Sequence, residues 1–232
     1  MSAGKRKSRS TSSPPRGGGI GPAGEQPDKA AQQRAGGREE PTSQASVGKF
    51  PIVGIGASAG GLEALKEFFS AMPSDGGMAF VVVQHLEPSH ESRMAEILGK
   101  YTAMTVVQAE DGMAVEPETV YTNPPGRALS IHEGRLTLGM QTAGSHVEAA
   151  IDRFLVSLAE DMGSAAVCII LSGSNGSDGP RGIRAVRAAG GMCVAQEPGS
   201  AQFAAMPQAV IDTGLADYVL APAQMPEPLL EF

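Results

Sequence analysis

Three short, almost uninterrupted apolar runs constrain this chain more than any other feature. They are Phe50-Pro51-Ile52-Val53-Gly54-Ile55-Gly56, Ala79-Phe80-Val81-Val82-Val83 and Ala165-Ala166-Val167-Cys168-Ile169-Ile170-Leu171. Their length suits strands, and the lack of polar alternation suits strands buried on both faces of a sheet. Helical spacing appears between them, through Leu62, Leu65, Phe68, Phe69 and Met72, within Glu91–Tyr101, and through Ile151, Phe154, Leu155 and Leu158 within Ala149–Met162. Strands alternating with helices predict an α/β fold, doubly wound, with a mainly parallel sheet and helices on both faces, Rossmann-like in outline. Thr105-Val106-Val107, Thr119-Val120-Tyr121, Gly191–Ala195 and Tyr218-Val219-Leu220 read as further strands, Gly179–Ala189 and Gln208–Thr213 as helices. Ala128–His132 and Arg135–Leu138, joined through Glu133-Gly134, predict a small β-hairpin.

Composition narrows the function classes. Hydrophobic residues make up 41% of the 232, yet only 4% are aromatic and none is Trp, so the core is expected to be aliphatic and Met-rich. No run approaches the roughly 18 apolar residues of a membrane span, and no membrane insertion is expected. The basic start, Met1–Lys7, has no apolar run behind it and does not read as a secretory signal, which predicts a cytoplasmic protein. Cys168 and Cys193 sit in apolar segments and read as small buried hydrophobes rather than a disulfide or a metal site. Neither a metal constellation nor a cofactor is expected.

Charge is unevenly spread. Residues 1–48 carry eight Lys/Arg and four acids, leaving ten basic against twenty-one acidic residues in the remainder. An acidic body argues against nucleic-acid binding. The first 48 residues are rich in Gly, Ser, Pro, Gln and Arg and hold almost no large apolar side chain. They are expected to form a disordered basic tail, with one folded domain over 49–232.

In sheets of this kind sites lie at the carboxyl ends of strands, which directs attention to three loops. Gly56-Ala57-Ser58-Ala59-Gly60 matches G-x-S-x-G between a strand and a helix, a turn that exposes a Ser hydroxyl beside helix-start amides able to hold an oxyanion. The same stretch, from Gly54, also fits the G-x-G-x-x-[GA] loop of dinucleotide binders, so nucleophile and phosphate loop both stand, although no acidic ribose ligand ends the second strand. His85, in Gln84-His85-Leu86-Glu87-Pro88, is either structural or a base facing Ser58, with His90, His132 and His146 as rivals. Asp178, ending Ser172-Gly173-Ser174-Asn175-Gly176-Ser177-Asp178, either caps the following helix or orients His85, with Glu87, Asp152 and Asp161 as alternative acids.

Taken together, the loops resemble the CheB family of protein-glutamate methylesterases. Ile55–Leu65 resembles its serine motif, Val82–Leu86 its histidine motif and Leu171–Gly179 its aspartate motif. Val120–Gly126 and Ile151–Ala159 resemble two further segments, so the likeness covers about residues 50–230. It implies a doubly wound α/β fold and cofactor-free hydrolysis of glutamate γ-methyl esters on chemoreceptors or receptor-like proteins, with glutamine deamidation in some members. Carried over, Ser58 is the nucleophile, His85 the general base and then acid, and Asp178 its orienter. Ala59 is an oxyanion candidate through its amide, and Ser174 and Asn175 are further oxyanion or substrate candidates. The resemblance also implies a one-residue insertion at Ser174-Asn175, expected to shift Asp178 or the oxyanion donors. Residues 144–149 depart from the pattern, lacking the Arg and Pro that often precede the family's Ile-Asp block, where substrate contacts would lie. The segment before Phe50 is too short for a receiver domain, so phosphorylation control in cis is not expected. Likeness to esterase domains fused to a methyltransferase makes a CheR-like module an expected partner. Two other readings stand beside this one: a catalytically weakened CheB-like interaction module, and a dinucleotide-binding oxidoreductase.

Overall fold

The computed structural model describes residues 50–85, 92–140 and 149–232. Within these, nine strands and six helices follow one another as β1 (Ile52–Ala57), α1 (Gly61–Ala71), β2 (Ala79–Gln84), α2 (Met94–Leu98), β3 (Thr105–Gln108), β4 (Thr119–Thr122), β5 (Arg127–His132), β6 (Arg135–Met140), α3 (Ala150–Met162), β7 (Ala166–Ile170), α4 (Pro180–Ala188), β8 (Met192–Gln196), α5 (Ala205–Ile211), β9 (Tyr218–Leu220) and α6 (Pro226–Leu230). Seven strands form one sheet in the order β3-β4-β2-β1-β7-β8-β9, parallel throughout, while β5 and β6 pair antiparallel as a separate hairpin.

The apolar runs account for the central strands. Every residue of β1, β2, β7 and β8 is buried, as expected of parallel strands covered on both faces. Alternation along β1 divides its side chains between two cores. Val53, Ile55 and Ala57 pack with Leu65, Phe68 and Phe69 of α1, where Phe68, Phe69 and Phe80 meet edge to face with centroids 5.0 to 5.9 Å apart. Ile52 faces the other way, toward Ile151, Phe154, Leu155 and Leu158 of α3 and Ile183 and Val186 of α4.

Gly54 and Gly56 lie on that second face, and their meaning changes with it. A Cβ on Gly54 would come within 2.7 Å of Leu155 Cδ2, and one on Gly56 would collide with Ile151. These glycines let α3 approach β1 closely; they sit inside the strand, not in a loop that could cradle a pyrophosphate. Close helix packing therefore explains the dinucleotide-like pattern.

The hairpin docks on α3. Its turn places Glu133 (φ 49°) and Gly134 (φ 68°) in left-handed conformation, the two-residue geometry that matches strand twist. Both turn amides donate to the carboxylate of Asp161, and the Ile131 amide donates to Ser157 Oγ. Cys168 and Cys193 are register partners on β7 and β8, buried with sulfurs 3.0 Å apart, and burial pushes the Cys168 thiol well up. No helix among the described residues is long and apolar enough to cross a membrane.

Several boundaries differ from the sequence expectation. The 91–101 helix is described only as the short α2, residue 91 lying outside the described residues. Helix α5 starts at Ala205 rather than Gln208, because Met206 is fully buried against Gly173 and its amide donates to the Gly173 carbonyl. Helix α6 has no counterpart in the sequence reading; prolines at the first helical positions lack only amides that have no helical partner there.

Candidate active site

The winding direction of the sheet reverses between β1 and β7, with β2 on the far side of β1. Chain ends leaving β1, β2 and β7 diverge around that point, forming the crevice where ligands bind in such folds. Ser58, His85 and Asp178 follow these three strands.

Ser58 stands one residue beyond β1 and is half-buried. Its amide donates to the Ser172 carbonyl (3.0 Å), and its own carbonyl accepts from the Gly61 amide (2.9 Å), so the turn is closed on itself and pinned to the end of β7. The sharp reversal falls on Gly60, at φ 73° and ψ −4°. That left-handed conformation costs little only for glycine, and a Cβ there would also lie 2.7 Å from Ser172 Oγ and from Gln202 Cβ. Ser58 itself is not among the described residues with positive φ. The turn is as sharp as the motif requires, but its strain is absorbed by glycine. Helix α1 begins immediately afterwards, at Gly61.

His85 follows β2, its side chain 20% exposed. The preceding residue is clamped from the end of β4: the Gln84 amide donates to Asn123 Oδ1 and Asn123 Nδ2 donates to the Gln84 carbonyl, both at 2.9 Å. Asn123 is 5% exposed and acts as a two-point brace for the backbone that presents the imidazole. Its role was not read from the sequence; the available signal was an Asn directly after an apolar strand.

The three side chains meet. His85 Nδ1 lies 3.3 Å from Ser58 Oγ, and His85 Nε2 lies 2.6 Å from Asp178 Oδ2. An ionised carboxylate only accepts, so Nε2 carries the proton and Nδ1 presents its lone pair to the serine hydroxyl. The two ring nitrogens face serine and aspartate in the opposite sense to a chymotrypsin-type triad. Asp178 is fully buried and also accepts from the amides of Ile151 (3.2 Å) and Asp152 (2.8 Å), at the start of α3. A helix N-terminus is a favourable place for a carboxylate charge.

This corrects the local expectation that Asp178 caps the helix after it. The helix it caps is α3, and α4 is capped from the other side: Asp152 Oδ1 accepts from the amides of Gly179 (3.0 Å) and Gly182 (2.6 Å). Neither helix has a side-chain cap of its own, so the two exchange carboxylates. Burial raises the Asp152 carboxyl above its ordinary range; the Gly182 amide opposes the shift, and the neighbouring Asp178 charge adds to it. Asp152, considered from the sequence as a rival acid, instead positions the loop that carries Asp178.

The remaining candidates sort by place. Asp161 is occupied at the hairpin turn, and the His132 side chain is 80% exposed beside Glu133. Glu87, His90 and His146 lie outside the described residues, as do residues 144–148. Ala59 is in the serine turn, half-buried, with its carbonyl accepting from Ser172 Oγ at 2.8 Å. Ser174 and Asn175 are exposed, and Asn175 Oδ1 accepts from the Ser177 amide (3.1 Å) and hydroxyl (2.7 Å). Ser174, Asn175 and Ser177 are exposed and Gly176 half-buried, and the loop then turns inward to buried Asp178, 2.6 Å from His85 Nε2.

Comparison with known proteins agrees with this architecture. The family model described as CheB methylesterase matches residues 53–229. A curated protein-glutamate methylesterase/protein-glutamine glutaminase of Thermotoga maritima is 34% identical over 194 residues, covering 82% of this chain and 56% of that one. An uncharacterized 104.1 kDa protein of Rhodobacter capsulatus is 41% identical over 127 residues, which are 55% of this chain but 13% of the longer protein. The crystal structure of the Thermotoga maritima CheB methylesterase catalytic domain superposes with a TM-score of 0.72 at 33% identity, covering 79% of this chain and 98% of that domain. The chain spans about half the length of the curated methylesterases of Geobacter sulfurreducens and Thermotoga maritima. By sequence and by fold, the chain belongs to the CheB methylesterase family.

Proposed function

We propose that the domain following residue 49 hydrolyses glutamate γ-methyl esters on a chemoreceptor or receptor-like protein, with Ser58, His85 and Asp178 as its triad. The single observation that carries the reading is the unbroken relay from Ser58 Oγ through His85 to buried Asp178, at 3.3 and 2.6 Å, in a chain of this family. Nδ1 of His85 takes the serine proton as Oγ attacks the ester carbonyl. The imidazolium so formed is held by Asp178 and returns the proton to the departing methoxide, releasing methanol. Water, deprotonated by the same nitrogen, then cleaves the acyl-serine to free the glutamate carboxylate and restore Ser58. Oxyanion stabilisation falls to amides of the serine turn. The Ser58 amide is committed to Ser172, which leaves Ala59 as the first amide free to serve. The same steps on a glutamine side chain would release ammonia, in keeping with the glutaminase activity in the relatives' names.

A neighbouring methyltransferase module, CheR-like, is proposed as the partner that makes the ester. The Rhodobacter similarity, confined to 13% of a 104.1 kDa chain, supports the idea that such a domain works beside others. The test is methanol release from a methylated receptor fragment by the full chain, against Ser58→Ala. Release that vanishes in the variant supports the proposal. A folded wild-type chain that leaves the methyl ester intact, or a Ser58→Ala chain that still cleaves it, overturns it.

A further inference from the structure

Ser172 is a fully buried serine at the end of β7, six residues before Asp178, and its polar groups are spent on the active-site loops. Its carbonyl accepts the Ser58 amide at 3.0 Å. Its hydroxyl donates to the Ala59 carbonyl at 2.8 Å and accepts from the Phe203 amide at 3.0 Å. Its own amide donates to Gln196 Oε1 at 2.7 Å, and Gln196 in turn donates to the Ser200 carbonyl. One residue thus ties the serine turn, the end of β8 and the 198–203 loop together.

The consequence for the chemistry is directional. Three consecutive peptide groups meet at Ser58-Ala59-Gly60. The first is fixed by its N–H on the Ser172 carbonyl, the second by its C=O on the Gly61 amide, and the third by its C=O on the Ser172 hydroxyl. The second peptide carries the Ala59 amide, and it is held between two neighbours that both hang on Ser172. Among the described residues no acceptor meets that amide. Gly60, at φ 73° and with no room for a Cβ against Ser172 Oγ, lets the turn lie directly against Ser172.

On the esterase reading given above, we infer that Ser172 is a positioning residue for the oxyanion: its hydroxyl and carbonyl together aim the Ala59 amide at the developing negative charge. It touches neither substrate nor His85, and its effect is on the transition state alone. Removing one oxyanion donor costs about 10²- to 10³-fold, and a 1 Å misplacement about 10²-fold. Ser172→Ala is therefore expected to lower kcat about 10- to 100-fold while KM stays within about twofold.

A purely structural role would not give that split. The decisive readout is inhibition by a small boronic acid, which forms a tetrahedral oxyanion on Ser58. Its affinity is expected to fall in proportion to kcat across wild type, Ser172→Cys and Ser172→Ala, in that order, because the thiol is a weaker donor of similar size. If the Ala variant does not fold, the Cys variant carries the test. Wild-type kcat in the Cys variant, or a loss of kcat with unchanged boronate affinity in either variant, overturns the inference. A wild-type chain that binds boronate but releases no methanol removes the methyl-ester reading alone, and the boronate series still decides the role of Ser172. A wild-type chain that neither binds boronate nor releases methanol removes both.

Discussion

The serine turn and the aspartate loop lie at the ends of adjacent strands and are built in opposite ways. The serine turn is made of small residues and closes on itself, with Gly60 in left-handed conformation and the Gly61 amide on Ser58, before Ser172 pins it from the end of β7. The aspartate loop carries an exposed excursion over Ser174–Ser177 and then plunges to a fully buried carboxylate. Nothing local orients that carboxylate: its partners are amides of α3, some 26 residues earlier, and an imidazole 93 residues earlier. The shape of one half comes from a pentapeptide, with Ser172 alone reaching it from another strand, whereas the other half is wholly a property of the assembled fold. A nucleophile can be placed by a turn, whereas a buried acid must be placed by whatever satisfies its charge.

That contrast can be broken or sharpened by substitution. The largest effect is expected from Asp178→Ala, which removes the group that fixes the His85 tautomer; methanol release should fall about 10⁴-fold. Residues of the proposed triad should act as a unit, so adding His85→Ala is expected to cost little more. Fully additive losses would show that the two residues act separately. Next is Gly60→Ala, which places a Cβ against Ser172 Oγ and Gln202 in a left-handed residue. We expect about 1–2 kcal/mol of lost stability in denaturant melts, and about 10²-fold less activity from displacement of the turn.

Asp152→Ala comes third, with about 1–2 kcal/mol lost as the cap of α4 disappears. Asp152→Asn keeps the acceptor and should lose less. Its pH dependence carries a sign. Burial raises the folded-state pKa of Asp152, so the native state holds this proton more tightly than the unfolded chain. Stability is then lost as pH rises from the ordinary carboxylate value through the raised one. Across that window the Asn variant should gain on the wild type as pH increases, measured by urea melts at a series of pH values. A difference that does not vary with pH would contradict the burial of an ionisable Asp152. The smallest effect is expected from Asn175→Ala, on the exposed excursion: stability within about 0.5 kcal/mol, and kcat within a factor of about two. A tenfold loss of kcat would place this side chain in the site.

The same contrast explains what could be read in the sequence. The buried strands, the hairpin turn at Glu133-Gly134 and the three loops that carry Ser58, His85 and Asp178 are local signals, and they appear where expected. The reciprocal capping of α3 and α4 is not a local signal. Asp178 reads locally as a cap for the helix it precedes, and Asp152 as an alternative acid for His85, because each serves a helix distant in sequence. Asn123 and Ser172 were silent for the same reason: a buried polar side chain shows its purpose only through partners on other strands. Gly54 and Gly56 illustrate the reverse error, in which a spacing that mimics a phosphate loop is dictated by the approach of Leu155 and Ile151.

The central claim is that Ser58 is a nucleophile activated by His85, and reaction of the full chain with a fluorophosphonate, followed by peptide mass spectrometry, tests it most directly. The account predicts a single adduct on Ser58 that is lost in His85→Ala. An adduct on Ser172, Ser174 or Ser177, or labelling of Ser58 that persists without His85, would contradict it.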